Sequence, residues 1–168
     1  MLILDQVSSR MAEWKIALRV VGTYSPFFLR MSESLRHLRV TYSGWVPYES
    51  SILEIGEADV LLLYGNRSAI QIPGKVYPYL ASGRPIIYVA QMPLDQDPTW
   101  RLIGNFGGII GLKQGDASWV ETLAGWINRL IEWEKAALSR CNDPRLAEYK
   151  WKALGARFAA FAGKLAKK

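Results

Sequence analysis

An unbroken apolar run, Val60-Leu61-Leu62-Leu63-Tyr64, constrains this chain more than any other feature. A strand with one wet face alternates apolar and polar residues. A continuous run of this length, opened by Asp59 and closed by Gly65, belongs to a strand covered on both faces. Pro85-Ile86-Ile87-Tyr88-Val89-Ala90 has the same character. Two such strands with a helix between them are the signature of parallel strands joined by crossovers.

The rest of the chain extends that alternation. Helical spacing covers 2–13, and 16–22 reads as a strand ending in a turn glycine. Pro26 opens a helix over 26–37, since proline suits a first turn, and 38–43 is a strand. A loop at 44–47 leads to a short helix, 48–57. After the 60–64 strand, a loop over 65–73 feeds a helix over 74–82, stopped by Gly83. The 85–90 strand is followed by a short helix at 99–105 and a last strand at 107–111. Two long helices, 117–140 and 145–166, flank Asn142-Asp143-Pro144. The expected fold is α/β, a doubly wound Rossmann-like parallel sheet with helices on both faces. The 168 residues suit a single domain, 1–168, whose end at 145–168 is an amphipathic helix carrying Trp151, Leu154, Phe158, Phe161 and Leu165 along one face.

Composition excludes several classes of function. Half of the residues are hydrophobic and 21% are charged, which rules out a disordered chain. Cys141 and His37 are each the sole residue of their type, so no intrachain disulfide forms and a His-rich metal site has no ligands. His37 ends a helix, where an imidazole is ordinary. The carboxylates show no metal-ligand spacing, and no metal cofactor is expected. The net charge of +6 favours anionic partners, but no nucleic-acid motif accompanies it. The opening Met-Leu-Ile-Leu-Asp is too short for a signal peptide and no run of about 18 apolar residues occurs. A cytoplasmic location is expected, with the basic end at 145–168 able to touch a membrane surface.

In a doubly wound sheet, ligands bind beyond the carboxyl ends of the strands. The loop after 60–64 is the best placed. It runs from Gly65 through Asn66, Arg67 and Ser68 to a helix start at Ile72-Pro73-Gly74-Lys75. Free backbone N–H groups at a helix start, with Lys75 and Arg67 close in sequence, favour an anion such as a diphosphate.

Residues 59–90, with the upstream stretch 39–60, resemble the donor half of family 4 glycosyltransferases of the GT-B fold. The family carries a "G-x-V" loop, a short helix, an "ADV" strand, a loop, and a helix of the form "P-x-K-x-x-E-Y-x-A-x-G-x-P". Gly44, Val46, Ala58, Asp59, Val60, Pro73, Lys75, Tyr79, Ala81, Gly83 and Pro85 match at the expected spacing. The likeness covers roughly 16–135 and is specific in its middle third. It implies that Trp45 and Val46 lie near a nucleotide base. It places Gly65, Asn66, Arg67, Ser68, Ile72, Pro73, Gly74 and Lys75 near the diphosphate and sugar of a UDP- or GDP-sugar.

Two departures accompany the likeness. The family glutamate before the tyrosine grips the ribose; Pro78 stands there, and Ile70 stands at the position of a second glutamate. The family domain also begins with a central strand and two basic residues that have no counterpart here. The resemblance implies the nucleotide-sugar-binding half of a retaining hexosyltransferase, acting with a separate acceptor-binding partner and holding no catalytic residue of its own. The alternative is a truncated, non-catalytic glycosyltransferase-like remnant that serves as a self-associating interaction module.

Overall fold

The computed structural model describes residues 1–150 apart from 12, 24, 25, 114 and 117, together with 152, 153, 155 and 156. The chain is α/β, with parallel strands in two small sheets. The elements run α1 Leu2–Arg10, β1 Ala17–Val21, α2 Pro26–Glu33, β2 Arg39–Gly44, α3 Tyr48–Glu57, β3 Leu61–Tyr64 and α4 Val76–Ala81. They continue with β4 Ile86–Ala90, α5 Pro98–Ile103, β5 Ile109–Lys113, α6 Trp119–Ile127, α7 Leu130–Arg140 and a 3-10 helix at Pro144–Tyr149. Among these residues no helix is long and apolar enough to cross a membrane.

The apolar runs do what their composition demands. β4 is buried along its whole length and pairs in parallel with β3 on one side and β5 on the other. Its residues alternate between two cores. Ile87 and Val89 join Val7 and Met11 of α1, Leu112 of β5, and Val120, Leu123, Trp126 and Ile127 of α6. Ile86, Tyr88 and Ala90 join Leu61 and Leu63 of β3, Val76 and Leu80 of α4, and Ile103 and Phe106 beside α5. Helices therefore cover both faces of this three-stranded sheet. Burying each large apolar side chain contributes roughly 1.5–3 kcal/mol before ordering entropy is subtracted.

The other sheet is built differently. β1 and β2 pair in parallel, with an irregularity at Val20/Val21. No residue of either strand is fully buried, and neither α2 nor α3 buries a residue. A single five-stranded sheet is not formed: β1 and β2 make one sheet, and β3, β4 and β5 the other. Helix α1 ties them together. Val7 is completely buried in the core of the larger sheet. From the same helix, Asp5 Oδ1 accepts N–H bonds from Arg36, His37 and Leu38 at 3.1, 2.7 and 2.8 Å, just before β2. Ser8 Oγ donates to the His37 carbonyl at 2.7 Å.

Several boundaries differ from the sequence expectation, each for a physical reason. α2 ends at Glu33 rather than 37: the Ser34 and Leu35 N–H groups turn onto the Met31 and Ser32 carbonyls, and Asp5 collects those of Arg36, His37 and Leu38. α4 starts at Val76, after a turn in which Val76 N–H bonds the Pro73 carbonyl at 3.0 Å. Pro78 therefore falls in the first turn, where a missing N–H costs no intrahelical bond. β5 lies at 109–113 rather than 107–111 because Gly107 and Gly108 pack against α7; a Cβ on Gly108 would lie 2.6 Å from that of Ala137. The expected helix 117–140 is two helices broken at Asn128 and Arg129, a break that lets Trp126 stack on Trp133 at 6.0 Å. The expected helix from 145 opens as the 3-10 helix and is interrupted at Lys150, which is extended. Trp151, Leu154, Phe158, Phe161 and Leu165 lie outside the described residues.

Arg140 locks the far end of the larger sheet. Only 3% exposed, it donates to the carbonyls of Leu80 at 3.0 Å, Gly107 at 2.6 Å and Arg84 at 2.8 Å. Burial lowers the guanidinium from its ordinary proton affinity. The three carbonyls satisfy it in place of a carboxylate.

Candidate functional site

The loop after β3 leaves a strand whose Leu63 is fully buried and turns at once over a polar pair. Tyr88 Oη donates to Asp97 Oδ2 at 2.5 Å, and both side chains are buried. Asp97 Oδ1 accepts from the N–H groups of Thr99 and Trp100 at 2.8 and 3.2 Å, capping α5. Burial first, and then the bond to Asp97, push the Tyr88 phenol well above its ordinary range, so it remains a donor. Tyr88 also stacks on Trp100 with ring centroids 6.0 Å apart.

Gly65 sits directly on this pair. Its N–H bonds the Val89 carbonyl at 2.9 Å. A Cβ at Gly65 would meet the Tyr88 hydroxyl at 2.2 Å and Asp97 Oδ2 at 3.3 Å, so only glycine fits. The loop then closes on itself. Asn66 Nδ2 donates to the Gln71 carbonyl at 3.1 Å, and Ser68 Oγ accepts from Ile70 N–H at 3.4 Å. Ile72 packs against the core beneath α4, which fixes the returning arm.

Between these anchors the loop faces outward. Arg67, Gly74 and Lys75 are exposed, Pro73 is partly buried, and Ile70 is 95% exposed. Arg67 and Lys75 make no ion pair among the described residues. Gly74 has open space around its Cβ position and no positive φ, so no backbone strain requires a glycine there. Lys75 caps α4 without a side-chain hydrogen bond. α4 has six residues, so its dipole is small.

Trp45 follows Gly44, whose φ of +67° makes the turn at the end of β2. Trp45 is 79% exposed and Val46 is partly buried. The Trp45 loop and the 65–75 loop thus end strands of different sheets, and no hydrogen bond joins them among the described residues. A cleft of about 290 Å³ lies away from both loops, between α5 and the 3-10 helix, lined by Arg101, Asn105, Phe106, Arg145 and Tyr149 among others. His37 is exposed and held by its backbone to Asp5 and Ser8, which is a structural role.

Sequence reasoning missed the Tyr88–Asp97 pair beneath the loop. The Asp97-Pro98 start of α5 was a readable capping signal. Nothing local marks Tyr88 as the partner of Asp97, because the contact depends on how β4 and α5 pack. Comparison with known proteins adds no relative: no protein-family model matches the chain, and no curated protein matches it.

Proposed function

We propose that this chain is the nucleotide-sugar-binding half of a retaining hexosyltransferase of the family 4, GT-B type, acting with a separate acceptor-binding partner. The observation that carries the reading is the seating of Gly65 on the Tyr88–Asp97 pair, which fixes the base of a loop that holds Arg67 and Lys75 outward at the carboxyl end of β3. A donor diphosphate would accept from Lys75, Arg67 and the amides around Gly74. The base would lie against Trp45 and Val46. On this reading the two sheets are flanks of one doubly wound sheet, completed when the partner is bound. The partner also brings the acceptor site and any catalytic base, since none is assigned here.

Pro78 and Ile70 offer the ribose no carboxylate. The loss of one charged hydrogen bond costs about 1.5–3 kcal/mol, or ten- to a hundredfold in affinity. Binding therefore rests on the diphosphate and the base. Thermal shift with UDP and with GDP tests this: the melting temperature rises with nucleotide at millimolar concentration, and an unchanged melting temperature for both speaks against it.

A second reading has its own support. Open strand edges are templates for pairing, and here β1 and β3 are not paired with one another. A non-catalytic remnant that self-associates through those edges would be dimeric or larger in light scattering. A clean monomer argues against it.

A further inference from the structure

β3 uses only one of its two edges. Leu61 N–H donates to the Pro85 carbonyl at 2.8 Å and Gly65 N–H to the Val89 carbonyl at 2.9 Å, so Leu61, Leu63 and Gly65 turn their backbone groups to β4. Direction alternates along a strand, so Leu62 and Tyr64 turn theirs the other way, where no strand pairs with them. β1 likewise pairs with β2 alone. Open edges are commonly guarded by charge or proline. β3 has neither, and Arg19, the one charge in β1, is paired with Glu54 and Glu57 of α3.

The two open edges belong to one neighbourhood. α1 reaches both sheets, since Asp5 holds the residues just before β2 and Val7 lies in the core with Ile87 and Val89 of β4. Ile16, next to β1, and Leu62 of β3 pack against that same core. Even so, β1 and β3 do not run side by side. Paired strands lie about 4.8 Å apart, whereas the Cα atoms of β1 and β3 lie mostly beyond 8 Å of each other. Ile3, Leu4, Ile16 and Leu62, which pack against this core, stay only partly buried. Free backbone groups on two edges, beside apolar side chains left half-covered, match an extended apolar segment. Water satisfies the first and not the second; a helix covers the second and has no backbone groups to offer the first.

A strand seated there needs both of its own edges free. Every strand among the described residues already has at least one edge paired, so none in a second copy fits without leaving its sheet. We propose that a separate polypeptide inserts one extended apolar segment between β1 and β3, pairing with Leu62 and Tyr64 on one side and with β1 on the other, and so joins the two sheets. Its paired length is about five residues, as β1 has five and β3 four. The inference rests on the proposed function only for the source of the segment, the acceptor-binding partner; the insertion itself needs no nucleotide.

The test is amide hydrogen exchange, resolved by residue with NMR, on the full chain with the synthetic peptide Lys-Val-Ile-Val-Ile-Val-Lys. The control is the same peptide with proline at its central position, which lacks the N–H that a strand must donate. In the chain alone, Leu62 and Tyr64 exchange freely while Leu63 and Gly65 are protected. Millimolar peptide slows Leu62 and Tyr64 about tenfold or more, and the proline peptide does not. The proposal is overturned if these two amides are already protected in the chain alone, if the first peptide leaves them free, or if the proline peptide protects them equally. It is also overturned if light scattering shows a dimer in which they are protected, because a second copy then covers the edge. Calorimetry with UDP and GDP separates this inference from the donor reading. Protection by the peptide without nucleotide heat leaves the insertion standing and removes the donor site; nucleotide heat without protection does the reverse.

Discussion

The Tyr88 hydroxyl donates to the buried Asp97 carboxylate at 2.5 Å, and Gly65 rests on both of them. The contact couples β4, the α5 cap and the loop after β3. Replacing Gly65 by alanine forces a methyl group into the hydroxyl and is expected to destabilise the fold by about 1–3 kcal/mol. Tyr88→Phe removes the donor and leaves Asp97 short of one partner, at a cost of about 1–3 kcal/mol. Urea denaturation of both single variants and the double variant gives the coupling. The double variant is expected to lose less than the sum, because removing the hydroxyl relieves the closest clash.

Arg140 is expected to behave as a structural bolt. Arg140→Met removes the donor from three carbonyls, on Leu80, Gly107 and Arg84, and loses about 2–4 kcal/mol by chemical denaturation. Arg140→Lys recovers only part of this, since a compact ammonium cannot span three acceptors as the planar guanidinium does.

Acid weakens the joint made by Asp5. Desolvation pushes its carboxyl up, but the N–H donors of His37, Leu38 and Arg36, with the His37 charge, outweigh it and hold the group below its ordinary 3.8. A carboxyl lowered in the folded state contributes stability that is fully present above its unfolded value. That contribution is lost as pH falls below about 4, through the lowered folded value. The melting-temperature difference between the native chain and Asp5→Asn is therefore expected to be largest near pH 6 and to narrow towards pH 3. A difference that stays constant with pH contradicts this role for the charge.

Much of the fold was legible in local pattern. The span 48–57 is a helix from Tyr48 to Glu57 as read, and the apolar run at 85–90 is the fully buried β4. What escaped was decided at a distance. Gly107 and Gly108 read as strand residues but serve the close approach of α7. The break at Asn128 and Arg129 has no glycine or proline to announce it and follows from the stacking of Trp126 on Trp133. The division into two sheets is invisible in strands that each carry ordinary apolar residues.

The candidate site was legible in part. Arg67 and Lys75, read as anion contacts, are both exposed. Trp45 and the 65–75 loop were expected to share one cleft, yet they end strands of separate sheets. The support under Gly65 could not be read at all, because it joins residues that only β4 and α5 bring together.

The most direct test of the central claim is calorimetric titration of the chain with UDP and with GDP, alongside Lys75→Ala. The expected result is saturable heat with one nucleotide, at a dissociation constant between micromolar and millimolar, weakened about five- to tenfold by Lys75→Ala. No heat from either nucleotide at millimolar concentration, or the same affinity in Lys75→Ala, would contradict it.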